Sequence, residues 1–186
     1  MSMSVSASGG SVNTMSGGVQ PQGGKNVTVS LGRCDAVVTS LLAKIQFDTT
    51  PIGTGATITK ATLRLYFTAL GIGTKTSTAL TLNVHAVTKA WLEVQATWVQ
   101  RVLLTNWTAN GGDYRSTATT TQSLPKNTVP GVWLEFDVTT LAQEWVDGVT
   151  VNNGLVLVLP TVSTDELIFN SREALVNMPQ LVVSYH

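Results

Sequence analysis

Apolar and polar residues alternate with a period of two along much of the chain. Ala61, Leu63, Leu65 and Phe67 fall on one side and Thr62, Arg64 and Tyr66 on the other, the pattern of a strand with one buried and one exposed face. Leu80, Leu82, Val84 and Ala86 repeat it against Thr81, Asn83 and His85. Val132, Leu134, Phe136 and Val138 do so against Trp133, Glu135 and Asp137. The run Leu155–Leu159 has no polar side, which predicts a central strand covered on both faces. Leu167–Phe169 and Leu181–Tyr185 predict two further strands, and turns such as Gly53-Thr-Gly55 and Gly71-Ile-Gly73 separate these runs. The 28 threonines and the many valines suit a pleated, half-buried surface. The expected fold is all-β: an antiparallel, jelly-roll-like β-sandwich with one short helix and an irregular N-terminal arm.

The helix is predicted just after the strand that ends at Val138. Asp137 or Thr139 can cap it, Leu141 and Trp145 stand four apart on one face, and Gly148 can end it. Two turns are too short to persist alone in water, so Trp145 must anchor the helix on a sheet edge or one end of the sandwich. Two stretches lack periodicity. Thr105–Val129 is polar and rich in Gly and Thr, and carries Trp107, Gly111-Gly-Asp-Tyr114 and Arg115; a loop of that length is either functional or pinned by its own side chains. Residues 1–24 are Ser- and Gly-rich, which divides the chain into an arm (1–24) and a sandwich domain (25–186).

Composition narrows the function. Eleven basic residues balance 11 acidic ones, and charged residues make up only 12% of 186. This excludes a charge-solvated disordered chain and leaves no basic excess for nucleic acid. No apolar run reaches the roughly 18 residues of a membrane span. Residues 1–24 carry neither the basic nor the apolar region of a secretion signal, so either a removed leader or another exit route, such as lysis, is expected. Cys34 is the sole cysteine, which excludes an intrachain disulfide and suits a small half-buried residue.

Several segments, in order, resemble a known family. They include Lys44-Ile-Gln-Phe-Asp48, Ile58–Leu65, Val87-Thr-Lys-Ala-Trp91-Leu-Glu93-Val-Gln-Ala-Thr97-Trp98 and Gly111-Gly-Asp113. Trp133–Thr139 follows, then Gln143, Trp145 and Gly148, and Asn153-Gly-Leu155, Phe169-Asn-Ser-Arg172-Glu173 and Pro179-Gln-Leu181 close the series. Together they resemble the DNRLRE domain, a β-sandwich module of extracellular bacterial and archaeal proteins, some members of which are similar to carbohydrate-binding modules. The same residues make structural sense on their own. Trp91 and Trp98 can pin a connection between sheets, with Glu93 accepting backbone N–H bonds and Thr97 capping the turn. Arg172 can fork onto a carboxylate such as Asp137 or Asp48 and clip two strands together.

Candidate chemistry is sparse. Glu135 with Asp137, Asp165 with Glu166, and Glu144 are the carboxylates that glycoside hydrolysis would draw on, but nothing in their spacing selects a pair. His85 lies on an outward face and the other histidine is His186, so neither a catalytic triad nor a zinc site is expected. No phosphate-binding loop is present. Asp113 with loop carbonyls is a candidate calcium ligand. Trp107, Tyr114 and Trp133 are candidates for an aromatic platform under a glycan, with Asn110, Arg115 and Glu135 beside it. Trp91, Trp98 and Trp145 read as structural anchors. The expected protein is non-enzymatic and has no cofactor apart from the candidate calcium. It is read as a subunit of a virion surface (head decoration or fibre) or of an extracellular filament, assembling as a homo-oligomer through the arm. The alternative is a carbohydrate-binding module of a secreted polysaccharide-active or cell-surface protein.

Overall fold

The computed structural model describes residues 2–11, 14–18, 28–31, 41–70, 79–93, 95–125, 127–159, 167–170 and 174–186. Cys34, the Gly71–Gly73 turn, Asp165, Glu166 and the proposed clip Arg172 lie outside the described residues. The strands are β1 (Ser2–Ser11), β2 (Thr14–Gly18), β3 (Thr28–Leu31), β4 (Leu41–Gln46), β5 (Ile58–Leu70), β6 (Leu80–Ala86) and β7 (Gln100–Val102). They continue with β8 (Thr105–Asn106), β9 (Thr120–Leu124), β10 (Val132–Asp137), β11 (Leu155–Leu159), β12 (Leu167–Asn170) and β13 (Gln180–Tyr185). The helix α1 spans Thr139–Val146. The chain is an all-β antiparallel sandwich with one short helix, as the alternation predicts.

One layer is built on the long strand β5. Its Thr62–Phe67 stretch pairs with β10 along one edge; β13 and β12 share the other edge in succession, and β3 follows β12. The other layer runs β4-β11-β6-β9. Ala61, Leu63, Leu65 and Phe67 of β5 meet Ala43 and Ile45 of β4, Leu155, Leu157 and Leu159 of β11 and Leu82 and Val84 of β6 in one core. Alternation assigns those of β5 and β6 to the inner faces; the inner residues of β4 lie outside the runs it predicts. Of the residues alternation turns inward, Val132 is the exception, 41% exposed at the start of β10 beyond the rim of the core.

Within the first 24 residues, expected as an irregular arm, Ser2–Ser11 and Thr14–Gly18 run as strands. β1 pairs antiparallel with β13 and with β2, and β2 pairs parallel with β4, so they stitch the two layers into one hydrogen-bonded path. Met3, Val5 and Ala7 do alternate with Ser2, Ser4, Ser6 and Ser8. The Ser and Gly bias of residues 1–24, with Gly9-Gly10 inside the run, marks a flexible linker in composition, and that outweighs the period.

The helix closes one end of the sandwich. Leu141, Ala142, Trp145 and Val146 are buried in the main core, and Gly148 at φ 69° follows its last turn. Polar contacts fix it to the start of β5: Thr139 Oγ1 accepts from Ala61 N–H at 3.0 Å, and Gln143 Oε1 accepts from Ile58 N–H at 2.6 Å. Val138 is the N-cap and supplies no side-chain cap; Asp137, one residue before it, accepts at Oδ1 from the Thr139 N–H at 2.9 Å and from its hydroxyl at 2.6 Å, a local turn that leads into the helix. Those two bonds from Thr139 hold the Asp137 carboxyl below the usual aspartate range. Among the described residues no helix is long and apolar enough to cross a membrane.

Asp137→Ala is expected to lower stability by about 1 kcal/mol at neutral pH, the usual net worth of a local hydrogen bond. Because the folded-state pKa is depressed, that contribution is complete above the ordinary aspartate pKa of about 3.9 and disappears as pH falls through the folded value. Urea unfolding of both proteins from pH 7 to pH 2.5 should show the gap closing on the acid side.

Candidate functional site

The outer face of the β4-β11-β6 layer carries an unusual row. Val156 of β11 is the register partner of Lys44 on β4 and of His85 on β6. Their neighbours along each strand enter the main core, so all three side chains point away from it. Lys44 is 5% and His85 6% exposed, so something covers them. The cover is the segment 88–115, a lobe whose indoles form a second apolar cluster with the outer side of β11: Val87, Trp91, Trp107, Val156 and Val158, with Trp98 and Tyr114 packed against it.

Polar contacts lock the lobe in place. Lys44 Nζ donates to the Gly111 carbonyl at 2.6 Å and sits 4.8 Å from the Trp107 ring centroid, so the buried ammonium has both a dipole and a π face to replace water. His85 Nδ1 is 2.8 Å from the Arg115 carbonyl; a carbonyl only accepts, which puts the proton on Nδ1. The His85 ring packs on Tyr114 with centroids 5.1 Å apart. Trp91 Nε1 donates to the Asn153 carbonyl at 2.8 Å and Trp107 Nε1 to the Thr97 carbonyl at 3.0 Å. Thr97 Oγ1 accepts from the N–H groups of Val99 and Gln100, the capping role its position suggests.

These contacts decide the predicted sites. Trp107, at 4% exposed, is the lobe's own core and presents no face to a sugar. Tyr114 is half-buried on His85. Arg115 is committed: its Nη2 donates to Glu144 Oε2 at 2.5 Å and to Thr150 Oγ1 at 2.6 Å, tying the lobe to α1. That contact with Arg115, with a second hydrogen bond from Thr150, holds the Glu144 carboxyl below its usual range. Asp113 accepts from the N–H groups of Thr108 and Ala109 at 2.9 and 3.3 Å, and the adjacent Gly111 carbonyl receives the Lys44 ammonium. The carboxylate and carbonyl expected to bind calcium thus clasp the lobe instead. Among the described residues no group of three or more His, Cys, Asp or Glu side chains could hold a metal ion.

Trp133 is not with Trp107 and Tyr114. It lies on β10, on the outer face of the opposite layer. There it meets Tyr66 edge-on, with centroids 5.3 Å apart, and lies 4.5 Å from the Arg64 guanidinium. Arg64 also donates to Glu135 Oε1 at 2.7 Å and to Gln180 Oε1 at 3.0 Å. Glu135 and Asp137, weighed above as an acid pair, are therefore held by Arg64 and Thr139. The signal for this aromatic and polar patch was present in the alternation: Arg64 and Tyr66 share the outward face of β5, but only the register sets them beside Glu135 and Trp133. A second feature had no periodic signal. Leu103 and Leu104 form the tip between β7 and β8, 66% and 87% exposed, with Leu104 at φ 60°.

The family model of the disaggregatase related repeat domain matches residues 25–183. This overturns the DNRLRE assignment. The segments behind that resemblance are largely those that shape the sandwich, such as the inner face of β5, the short helix and the indole anchors, and residues fixed by packing do not discriminate one sandwich family from another. No curated protein matches the chain.

Gly112 tests the lobe's lock. At φ 123° its Cβ would stand 2.6 Å from Lys44 Cε and 3.1 Å from Nζ. Gly112→Ala should therefore cost about 1–3 kcal/mol from backbone strain alone, and more if Lys44 leaves Gly111 and Trp107. Denaturant unfolding measures the loss, and the tryptophan emission of the native protein should report a displaced lobe.

Proposed function

We propose that this chain, which belongs to the disaggregatase related repeat family, is a non-catalytic building block of an extracellular or virion-surface assembly. The observation that carries this reading is the Leu103–Leu104 tip. A bulky residue at φ 60° and 87% exposure is strained and holds apolar surface in water. A surface that gains by being covered offsets both costs. Among the described residues, the acids support the non-catalytic part. Asp48, Asp113, Glu135, Asp137, Glu144 and Asp147 all accept hydrogen bonds from this chain's own groups, and Glu93 is buried with an interaction of its own. The neutral, sparsely charged composition lowers the desolvation cost of pressing such units together.

The test uses the full chain and a double variant, Leu103→Ser with Leu104→Asn. Asparagine tolerates the left-handed backbone, so the hairpin survives while its apolar tip is removed. Light scattering over a concentration series should give masses above the monomer for the wild type and monomer for the variant. A wild type that stays monomeric throughout, or a variant that assembles equally well, overturns the reading.

A second reading, glycan binding, is favoured by the outer face of β5 and β10. Trp133 and Tyr66 supply ring surface there, and Arg64, Glu135 and Gln180 supply polar groups already oriented by one another. On a glycan array the expected result is binding that Trp133→Ala removes and Trp107→Phe leaves in place. An array without hits retires this reading and leaves the first one standing.

A further inference from the structure

An open groove of about 610 Å³ lies where the lobe meets the segment between α1 and β11. Lys89, Arg101 and Arg115 line it, and so do Val149 and Val151. Its charge is lopsided. Half of the described cations line this groove, out of Lys44, Lys60, Arg64, Lys89, Arg101 and Arg115. None of the described carboxylates lines it, although Glu144 reaches it as the partner of Arg115 and Thr150. In a chain with as many acids as bases, such segregation builds a local positive field that a neutral surface lacks.

Lys89 and Arg101 have no carboxylate partner among the described residues, whereas Arg115 is paired with Glu144. Arg101 Nη1 donates to the Ala90 carbonyl at 2.9 Å, which orients its guanidinium and leaves its other donors. Arg115 is bound through Nη2 to Glu144 and Thr150, so Glu144 already compensates its charge and the unpaired positive charge in the groove comes from Lys89 and Arg101. Lys89 is exposed. Beside them Val149 and Val151 are 75% and 73% exposed, an aliphatic pair two residues apart. The ligand must therefore offer anionic groups and aliphatic surface together. No aromatic side chain lines the groove, so the flat ring face on which a sugar stacks is missing.

We propose that this groove docks an acidic, aliphatic-rich peptide segment of a partner protein, its carboxylates on Lys89 and Arg101 and its apolar side chains on Val149 and Val151. Carboxylates on arginine forks give orientation as well as attraction. This contact is separate from the Leu103–Leu104 tip, so it does not depend on self-assembly.

The test is fluorescence anisotropy with the full chain and a labelled peptide of four Leu-Glu repeats, run on the Leu103→Ser, Leu104→Asn background so that self-association does not intrude. Binding should weaken as salt rises. It should fall at least about tenfold for Lys89→Glu with Arg101→Glu, and for the Leu-Gln version of the peptide. Val151→Ser, an exposed and conservative change, should weaken it less. No binding at about 1 mM peptide overturns the proposal, and so does an affinity unaffected by the charge reversals. Displacement of the peptide by an oligo-uronate that binds more tightly overturns the peptide class in favour of an acidic saccharide. Circular dichroism of each variant separates loss of fold from loss of the site.

Discussion

The double burial of β11 is the constraint on which the structure turns. Leu155, Leu157 and Leu159 enter the main core, and Val156 and Val158 enter the second cluster on the opposite side. An antiparallel layer can leave one face to water, but the outer side of this one carries Val156 and Val158, apolar surface that gains by being covered. The 88–115 lobe exists to cover that side. Its indoles supply apolar area, and its carbonyls at Gly111 and Arg115 supply the acceptors that Lys44 and His85 need once water is gone. Three of the five tryptophans, Trp91, Trp98 and Trp107, are spent on this task.

Much of the fold was legible beforehand because alternation is a physical consequence of the pleat. The inner residues of β5, β6 and β10 and the all-apolar β11 could be named from their period, and the helix from Asp137, Leu141, Trp145 and Gly148. The lobe was not legible. Its order comes from contacts distant in sequence, such as Lys44 with Gly111 and Trp91 with Asn153, which no local window holds. Gly154 shows the limit of motif reading. Its place beside Asn153 marks a turn, yet the reason for glycine is that a Cβ there would sit 2.3 Å from the Ile45 carbonyl oxygen of the neighbouring strand.

One physical rule sorts where the candidate residues lie. Trp107 and Tyr114 stood on an aperiodic stretch and so read as exposed, whereas aperiodicity here marks a cover and not a free loop. Asp113 beside two glycines resembles a cation loop in sequence; in space the positive charge arrives as Lys44, bonded to the Gly111 carbonyl. Trp133 kept its outward face because it sits on a strand whose period could be read. The groove and the leucine tip are made by exposed residues that no regular pattern organises, and only the assembled chain brings them together.

The two clusters on either side of β11 also set how the molecule breathes. The lobe is held by a smaller cluster than the main core and by bonds at Lys44, His85, Asn153 and Glu144, so a local opening of this molecule would free the lobe before it separated the two layers. Amides of 88–115 would then trade deuterium through that partial opening. Those of β11, paired on both edges with β4 and β6, would trade only when the whole sandwich comes apart. Lifting the lobe bares an ammonium, an imidazole and a strip of valine at once, so the closed and open forms present chemically different surfaces to whatever lies alongside.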